Sequence, residues 1–251
     1  MAHIVEVFRE VRRVLRADGT CWVNLGDTYI GTGNGPASRV GKLKPKDLVG
    51  IPWRVAFALQ EDGWWLRSDC IWYKRNPMPK PAHDRPTQTH EYVFLLAKSR
   101  RYFYDPEAVR EPLEESSLRR LRNHLPNAAD NPAYRSKHPE GDFRRFPMLA
   151  NTNPSGRHLR SVWQIAVQPY REAHFATFPE KLAENCIKAG SPRGGIVLDP
   201  FAGSGTTLAV ARSLGRRSVG IELNPDYVEL ARHRCRVPAA GNENSVCEVP
   251  A

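Results

Sequence analysis

Long apolar runs are absent from this chain of 251 residues. A membrane-spanning helix needs about 20 consecutive apolar residues, and nothing in the sequence approaches that, so membrane insertion is not expected. Met1 to Glu10 has neither a basic flank nor an apolar signal core, which argues against export. Cysteine is scarce: Cys21, Cys70, Cys186, Cys235 and Cys247 are scattered and show no C-x-x-C spacing. Neither a zinc site nor a disulfide framework is indicated. No metal is expected, and a reducing cytoplasm fits best. A Gly-Lys-Ser/Thr phosphate loop and any Pro-Pro dipeptide are missing as well.

Positive charge is abundant. Lys and Arg number 37 against 27 Asp and Glu, a net charge of +10, and the pI is near 9.6. Such a surface attracts polyanions through counterion release, nucleic acid being the commonest, or is simply a solvated basic face. Between Ser116 and Ser161 nine basic residues (Arg119, Arg120, Arg122, Arg135, Lys137, Arg144, Arg145, Arg157 and Arg160) face three acids. That segment, polar and Pro- and Asn-rich, reads either as a flexible linker or as a nucleic-acid-contacting insertion.

Around it the pattern is regular. Ile4, Phe8, Val11 and Leu15 stand at helical spacing and Asp18-Gly19 stops the helix. Cys21 to Leu25 reads as a buried strand, followed by a Gly-rich loop from Gly26 to Gly41. Asp47 is placed to cap a helix to about Gln60, Trp64 to Lys74 and Glu91 to Ala97 read as strands, and Tyr102 to Tyr104 as a short strand beside them. Later come a helix from Pro179 to about Ala189, a strand to Asp199, a helix from Thr206, a strand from Arg217 to Glu222 and a helix from Pro225 to Arg236. This grammar predicts an α/β fold, a doubly wound and mostly parallel Rossmann-like sheet with a basic irregular insertion. The expected parts are a first half over 1–104, the insertion over 105–161, a ligand-binding half over 162–237 and a disordered tail over 238–251.

The sharpest chemistry lies in Ile196-Val197-Leu198-Asp199-Pro200-Phe201-Ala202-Gly203-Ser204-Gly205-Thr206-Thr207. An apolar strand ends in an acid, and a tight Gly turn then opens a helix where open α/β sheets bind ligands. Glu222 follows, placed to accept hydrogen bonds from two ribose hydroxyls. A dinucleotide fingerprint would need a third glycine where Leu208 stands. An adenosine ligand without phosphates is therefore favoured, S-adenosylmethionine being the usual one.

On these residues, and with the Gly loop so late in sequence, the chain resembles the β group of DNA amino-methyltransferases, which act on cytosine N4 or adenine N6. The resemblance covers nearly all of residues 3 to 236. His174 to Leu182 matches the segment that closes over the methionine end of the cofactor. By resemblance Phe178, Pro179, Asp199, Phe201, Gly203, Gly205, Thr206 and Glu222 become S-adenosylmethionine contacts. For Phe178 an ordinary core aromatic is the other reading. Val23 to Tyr29 resembles the strand and loop beside the target-base pocket, which makes Asp27 and Tyr29 pocket candidates; loop capping and a structural hydrogen bond explain Asp27 and His90 equally well. The basic insertion takes the target-recognition position, with double-stranded DNA as partner.

One departure matters. The family places Asp, Asn or Ser, then Pro-Pro, then an aromatic at the end of a strand, where they hold the exocyclic amine and stack on the extruded base. This sequence has no such motif, and Asn224-Pro225-Asp226-Tyr227 reads as a helix start instead. The expectation is a chain N-terminally short of the motif and its strand, impaired alone, with an upstream chain as a possible supplier and homodimerisation as a way to cover a sheet edge. The rival is a catalytically silent DNA-binding or partner subunit. An RNA or protein methyltransferase is disfavoured by the late loop and the insertion.

Overall fold

A computed structural model describes residues 1–31, 42–79, 82–116, 118–119, 156–168, 178–236 and 247–248. The chain divides into two compact units, Met1–Asp105 with Arg160–Ala251, and Pro106–Leu159.

In the larger unit α1 (Ala2–Val14) buries Phe8 and Val11, and Arg9 on its outer side pairs with Asp62 at 2.6 Å. Strand β1 (Thr20–Leu25) follows, then α2 (Ile51–Glu61), β2 (Trp65–Tyr73) and β3 (His90–Ala97). β3 lies between β1 and β2 and is antiparallel to both, with Val23 opposite Phe94 and Cys70 opposite Val93. The short β4 (Val162–Gln164) adds parallel to β2, pairing Trp163 with Trp72. After α3 (Glu180–Gly190), strand β5 (Ile196–Asp199) leads into α4 (Thr206–Ser213), and β6 (Arg217–Gly220) into α5 (Pro225–Arg236). β5 and β6 are parallel, and β7 (Cys247–Glu248) pairs parallel with β6.

Alternate residues of a strand face opposite sides, and β1 shows what covers each. Val23, with Cys21 and Leu25, packs with Phe8 and Val11 of α1, Val55 and Leu59 of α2, Trp64 and Leu96. On the opposite side Trp22 meets Trp163 at 6.0 Å between ring centroids, and the Thr20 hydroxyl donates to Gly190 O at the end of α3. Helices thus flank both faces, the arrangement of a doubly wound sheet.

The strands fall into two groups, β1-β3-β2-β4 and β5-β6-β7, so β1 and β5 each end a sheet. They are close neighbours even so. Leu198 of β5 packs on the cluster that holds Val23 of β1. Burial, with the nearby Asp199 charge adding to it, pushes the Cys21 thiol up to about 12. No residue of β5 is fully buried and Ile196 is 57% exposed, in contrast with the five buried residues that close β3.

That thiol gives a direct check. An unfolded cysteine ionises near pH 8.5, whereas folded Cys21 keeps its proton to about 12. At pH 8 the folded chain should leave Cys21 unlabelled by a thiolate-directed reagent over an interval that labels the denatured chain completely. For the same reason the thiol favours the folded state fully below about pH 8.5, and this contribution is lost as pH rises toward 12. Rapid labelling of folded Cys21, read by peptide mass spectrometry, would contradict the assignment.

Five details differ from the sequence pattern. Three of the five strand pairings are parallel, as expected, but β3 runs antiparallel to both of its neighbours. Tyr102 to Tyr104 is not a strand: Phe103 N donates to Asp18 O and Asp105 N to Ala189 O, so these donors serve the neighbouring turn and the end of α3. Asp47 does not cap α2, since its carboxylate accepts from Lys44 N while the helix starts after Gly50 in the left-handed region, φ +74°. β6 ends at Gly220, leaving Glu222 in the turn beyond it. Within the expected disordered tail, residues 247–248 form β7, because β6 offers an unpaired ladder edge there.

Candidate cofactor and substrate site

The Gly turn is built as a sharp exit from β5. Asp199 folds back to accept from Phe201 N at 3.0 Å, and Gly205 N donates to Ala202 O at 2.8 Å. Gly203 and Gly205 hold φ of +51° and +79°, which glycine adopts without strain. At Gly205 a Cβ would sit 2.8 Å from the Ala231 Cβ of α5, whereas at Gly203 the nearest atom would be Phe201 O at 4.0 Å. Gly205 is thus closed from behind by α5, and Gly203 opens to the front.

The contrast can be measured. Gly205→Ala combines a left-handed strain of about 1–2 kcal/mol with an overpacking cost of about 1–3 kcal/mol, while Gly203→Ala carries the strain alone. Urea unfolding should show the larger loss for Gly205→Ala. Equal losses would mean that α5 does not back the turn.

Glu222 sits directly against this opening. Its Oε2 accepts from Gly203 N at 2.8 Å, and its Oε1 from Leu223 N and Asn224 N, both at 2.9 Å. Phe201 is 59% and Leu223 95% exposed beside it. An anionic acceptor, an open glycine face and two unburied apolar side chains suit a sugar with its base, so the residues fit an adenosine ligand.

Behind the turn Arg234 of α5 donates to Thr206 Oγ1 at 2.9 Å and Ser204 Oγ at 3.5 Å, and pairs with Glu180 Oε1 at 2.7 Å. Pro179 is fully buried at the start of α3, and Phe178 packs with Ala183, Ile187 and Val210, as a core aromatic would. His174 to Thr177 lie outside the described residues.

The upstream candidates divide. Asp27 Oδ1 accepts from Thr28 N, Gly50 N and Ile51 N at 2.9 to 3.0 Å and so caps α2, the bland alternative for this residue. Tyr29 bridges to Leu48 and carries the Arg85 guanidinium 3.9 Å above its ring. His90 stands edge-on to Tyr92 at 5.5 Å, and Tyr92, Phe94 and Trp53 continue the aromatic cluster. Lys74 and Glu91 form a half-buried pair at 2.5 Å next to Gly26.

Of the basic candidates, Arg119 and Arg160 are exposed. Arg157 pairs with Glu111 at 2.9 Å and Glu114 at 3.2 Å. Arg120, Arg122, Arg135, Lys137, Arg144 and Arg145 lie outside the described residues. Among the described residues no group of His, Cys, Asp and Glu is disposed to hold a metal, and no helix is long and apolar enough to cross a membrane.

Sequence reasoning did not single out Arg234, Arg85 or Lys74. Arg234 had a local signal: it falls three residues after buried Ala231 and one before buried Cys235, an arginine on the inward side of α5. The contacts of Arg85 with Tyr29 and of Lys74 with Glu91 had none, because those partners are distant in sequence.

Fold and site together define an α/β protein with an open glycine turn and an acidic side chain at the end of a parallel strand pair. The DNA methylase family model for N6 and N4 methylases matches residues 2–233. The chain belongs to this family, whose members are S-adenosylmethionine-dependent DNA methyltransferases. It is 41% identical over 246 residues to the type II methyltransferase M.SmaI of Serratia marcescens, covering 92% of this chain and 72% of that protein. Against the type II methyltransferase M.Cfr9I of Citrobacter freundii it is 42% identical over 263 residues, covering 99% and 74%. The fold resembles that of the cytosine-N4-specific PvuII DNA methyltransferase, with a TM-score of 0.60 at 19% identity over 95% of this chain and 72% of that one. It also resembles M1.HpyAVI in complex with S-adenosylmethionine, TM-score 0.58 at 19% identity over 93% and 82%.

Proposed function

We propose that the chain forms the cofactor- and DNA-recognition body of a site-specific DNA methyltransferase. Its target is an exocyclic amino group, cytosine N4 or adenine N6, of a base flipped out of double-stranded DNA. The observation that carries this reading is Glu222 set against the open face of Gly203 at the end of β5, in a chain of this family.

Bound S-adenosylmethionine supplies an electrophilic methyl group on its sulfonium. The chain's own residues bind and orient. Glu222 is the acceptor for ribose hydroxyls, Phe201 and Leu223 offer apolar faces, and Gly203 permits close backbone approach. Phe178 and Pro179 anchor the segment assigned to the methionine end. Arg119, Arg160 and the basic residues of the insertion attract the DNA backbone, which positions the duplex without reading sequence. Flipping a base costs a few kcal/mol of lost stacking and pairing. Tyr29 with Arg85, and the aromatic cluster ending at His90, are candidates to offset part of it.

The group that would hold the amine is not among these residues, since the sequence contains no Pro-Pro. We infer that a separate segment carries it and enters as a strand along the edges of β1 and β5 that no strand among the described residues pairs with. Covered by helices on both faces, such a strand would be apolar throughout. A second copy of the chain could cover an edge but would bring no Pro-Pro either. The missing motif also supports a second reading, a catalytically silent partner subunit that binds DNA.

The test is titration calorimetry of the purified chain with S-adenosylmethionine, followed by transfer of labelled methyl groups to mixed-sequence duplex DNA with and without the supplying segment. Label recovered as N4-methylcytosine or N6-methyladenine after nucleoside digestion supports the proposal. Label at cytosine C5, or in RNA or protein in preference to DNA, would overturn it. Cofactor binding without transfer under every condition would favour the silent subunit.

A further inference from the structure

We propose that Arg234 is a positioning residue for the cofactor, tying the two cofactor-binding segments into one rigid unit. This rests on the reading of the Gly turn as the cofactor loop.

The geometry is specific. Arg234 reaches from α5 to two hydroxyls of the turn, Thr206 Oγ1 at 2.9 Å and Ser204 Oγ at 3.5 Å. Its other terminal nitrogen meets Glu180 Oε1 at 2.7 Å. Ser204 and Thr206 are buried, 6% and 4% exposed. Glu180 is the first residue of α3, directly after Phe178 and Pro179. One planar guanidinium therefore bridges the turn that would hold the ribose end and the helix start that would hold the methionine end.

Chemistry explains why arginine does this. A guanidinium presents five donors in a fixed fork, so it can serve the turn with one arm and the carboxylate with the other while keeping their separation constant. A lysine ammonium is a point charge on a flexible stem and fixes no such distance. The side chain of Arg234 is 14% exposed and that of Glu180 60% exposed. The Glu180 arm is thus partly screened by solvent, and most of the constraint lies in the shielded contacts to the hydroxyls. Ala231, one helical turn before Arg234, closes on Gly205 at the same place, so α5 backs the turn through both packing and hydrogen bonds.

The test is a double-mutant cycle on the full chain with Arg234→Met, which keeps length and apolar packing, and Glu180→Gln. Two readouts are taken. One is calorimetric affinity for S-adenosylmethionine; the other is hydrogen exchange of the Gly203 to Thr206 amides in the unliganded protein. Arg234→Met is expected to weaken binding about tenfold, as loss of a charge-assisted hydrogen bond would. It should speed exchange in the turn about tenfold while leaving the amides of β3 unchanged. Glu180→Gln should give a smaller part of the same loss, and the double variant no more than Arg234→Met alone. Arg234→Lys should fail to restore affinity.

A residue that merely pins α5 would behave differently, with faster exchange throughout the unit and affinity held once the protein is folded. That result, or single losses that add in the double variant, would overturn the proposal. If the unsubstituted chain fails to bind S-adenosylmethionine, the functional reading is at fault. The exchange readout then decides the Arg234 linkage by itself: unchanged turn exchange in Arg234→Met refutes it.

Discussion

Methyl transfer to DNA is expected to rise at least about a thousandfold when the 251 residues are joined by a strand-forming segment carrying Asp, Asn or Ser followed by Pro-Pro and an aromatic. The segment can be an in-frame extension from the native locus or a second polypeptide. The size of the effect follows from what the motif does. It would hold the exocyclic amine in line with the methyl donor, and correct placement of reacting groups can be worth about 7–11 kcal/mol of barrier, of which a thousandfold uses about 4 kcal/mol. The edges of β1 and β5, unpaired among the described residues, give that segment a place to pair, and Leu198 and Val23 already share the apolar layer it would extend. A control separates pairing from chemistry. The same segment with Ala-Ala in place of Pro-Pro should still raise the melting temperature by filling the edges, yet restore no transfer. Full turnover by the 251 residues alone, or equal transfer with the Ala-Ala segment, would defeat the expectation.

How much of this was legible in the sequence varies with the range of the forces involved. The helices over Ala2–Val14, Thr206–Ser213 and Pro225–Arg236 follow from apolar spacing and from Gly and Pro punctuation within a few residues. The Gly turn was legible for the same reason: its acid, its glycines and its helix start are contiguous. Pairing direction was not, because the register of β3 between β1 and β2 depends on contacts far apart in the chain. Asp27 shows the limit most sharply. A carboxylate after a strand suggests a pocket, and only the three-dimensional approach of Gly50 and Ile51 reveals that it caps α2. Asp47, a better cap by sequence position, is taken up by Lys44 N instead.

Glu222 is where the second large effect is expected. Glu222→Ala should weaken S-adenosylmethionine binding about a hundredfold, and Glu222→Gln about tenfold, measured by calorimetry on the folded variants. An ionised carboxylate has roughly four acceptor positions, and Gly203, Leu223 and Asn224 each donate to one of its two oxygens. Two ribose hydroxyls therefore cannot be added without loosening or sharing at least one backbone contact. The net gain is smaller than two charge-assisted bonds at about 1.5–3 kcal/mol each, which brings the expected loss to about 3 kcal/mol, or a hundredfold. Glutamine keeps one carbonyl oxygen as acceptor but no charge, hence its intermediate place. Because the same carboxylate organises the turn after β6, the Ala variant should also lose stability, whereas Gln retains an acceptor for part of the turn. An affinity unchanged in both variants would show that Glu222 only shapes the turn and would move the ribose acceptor elsewhere in the site.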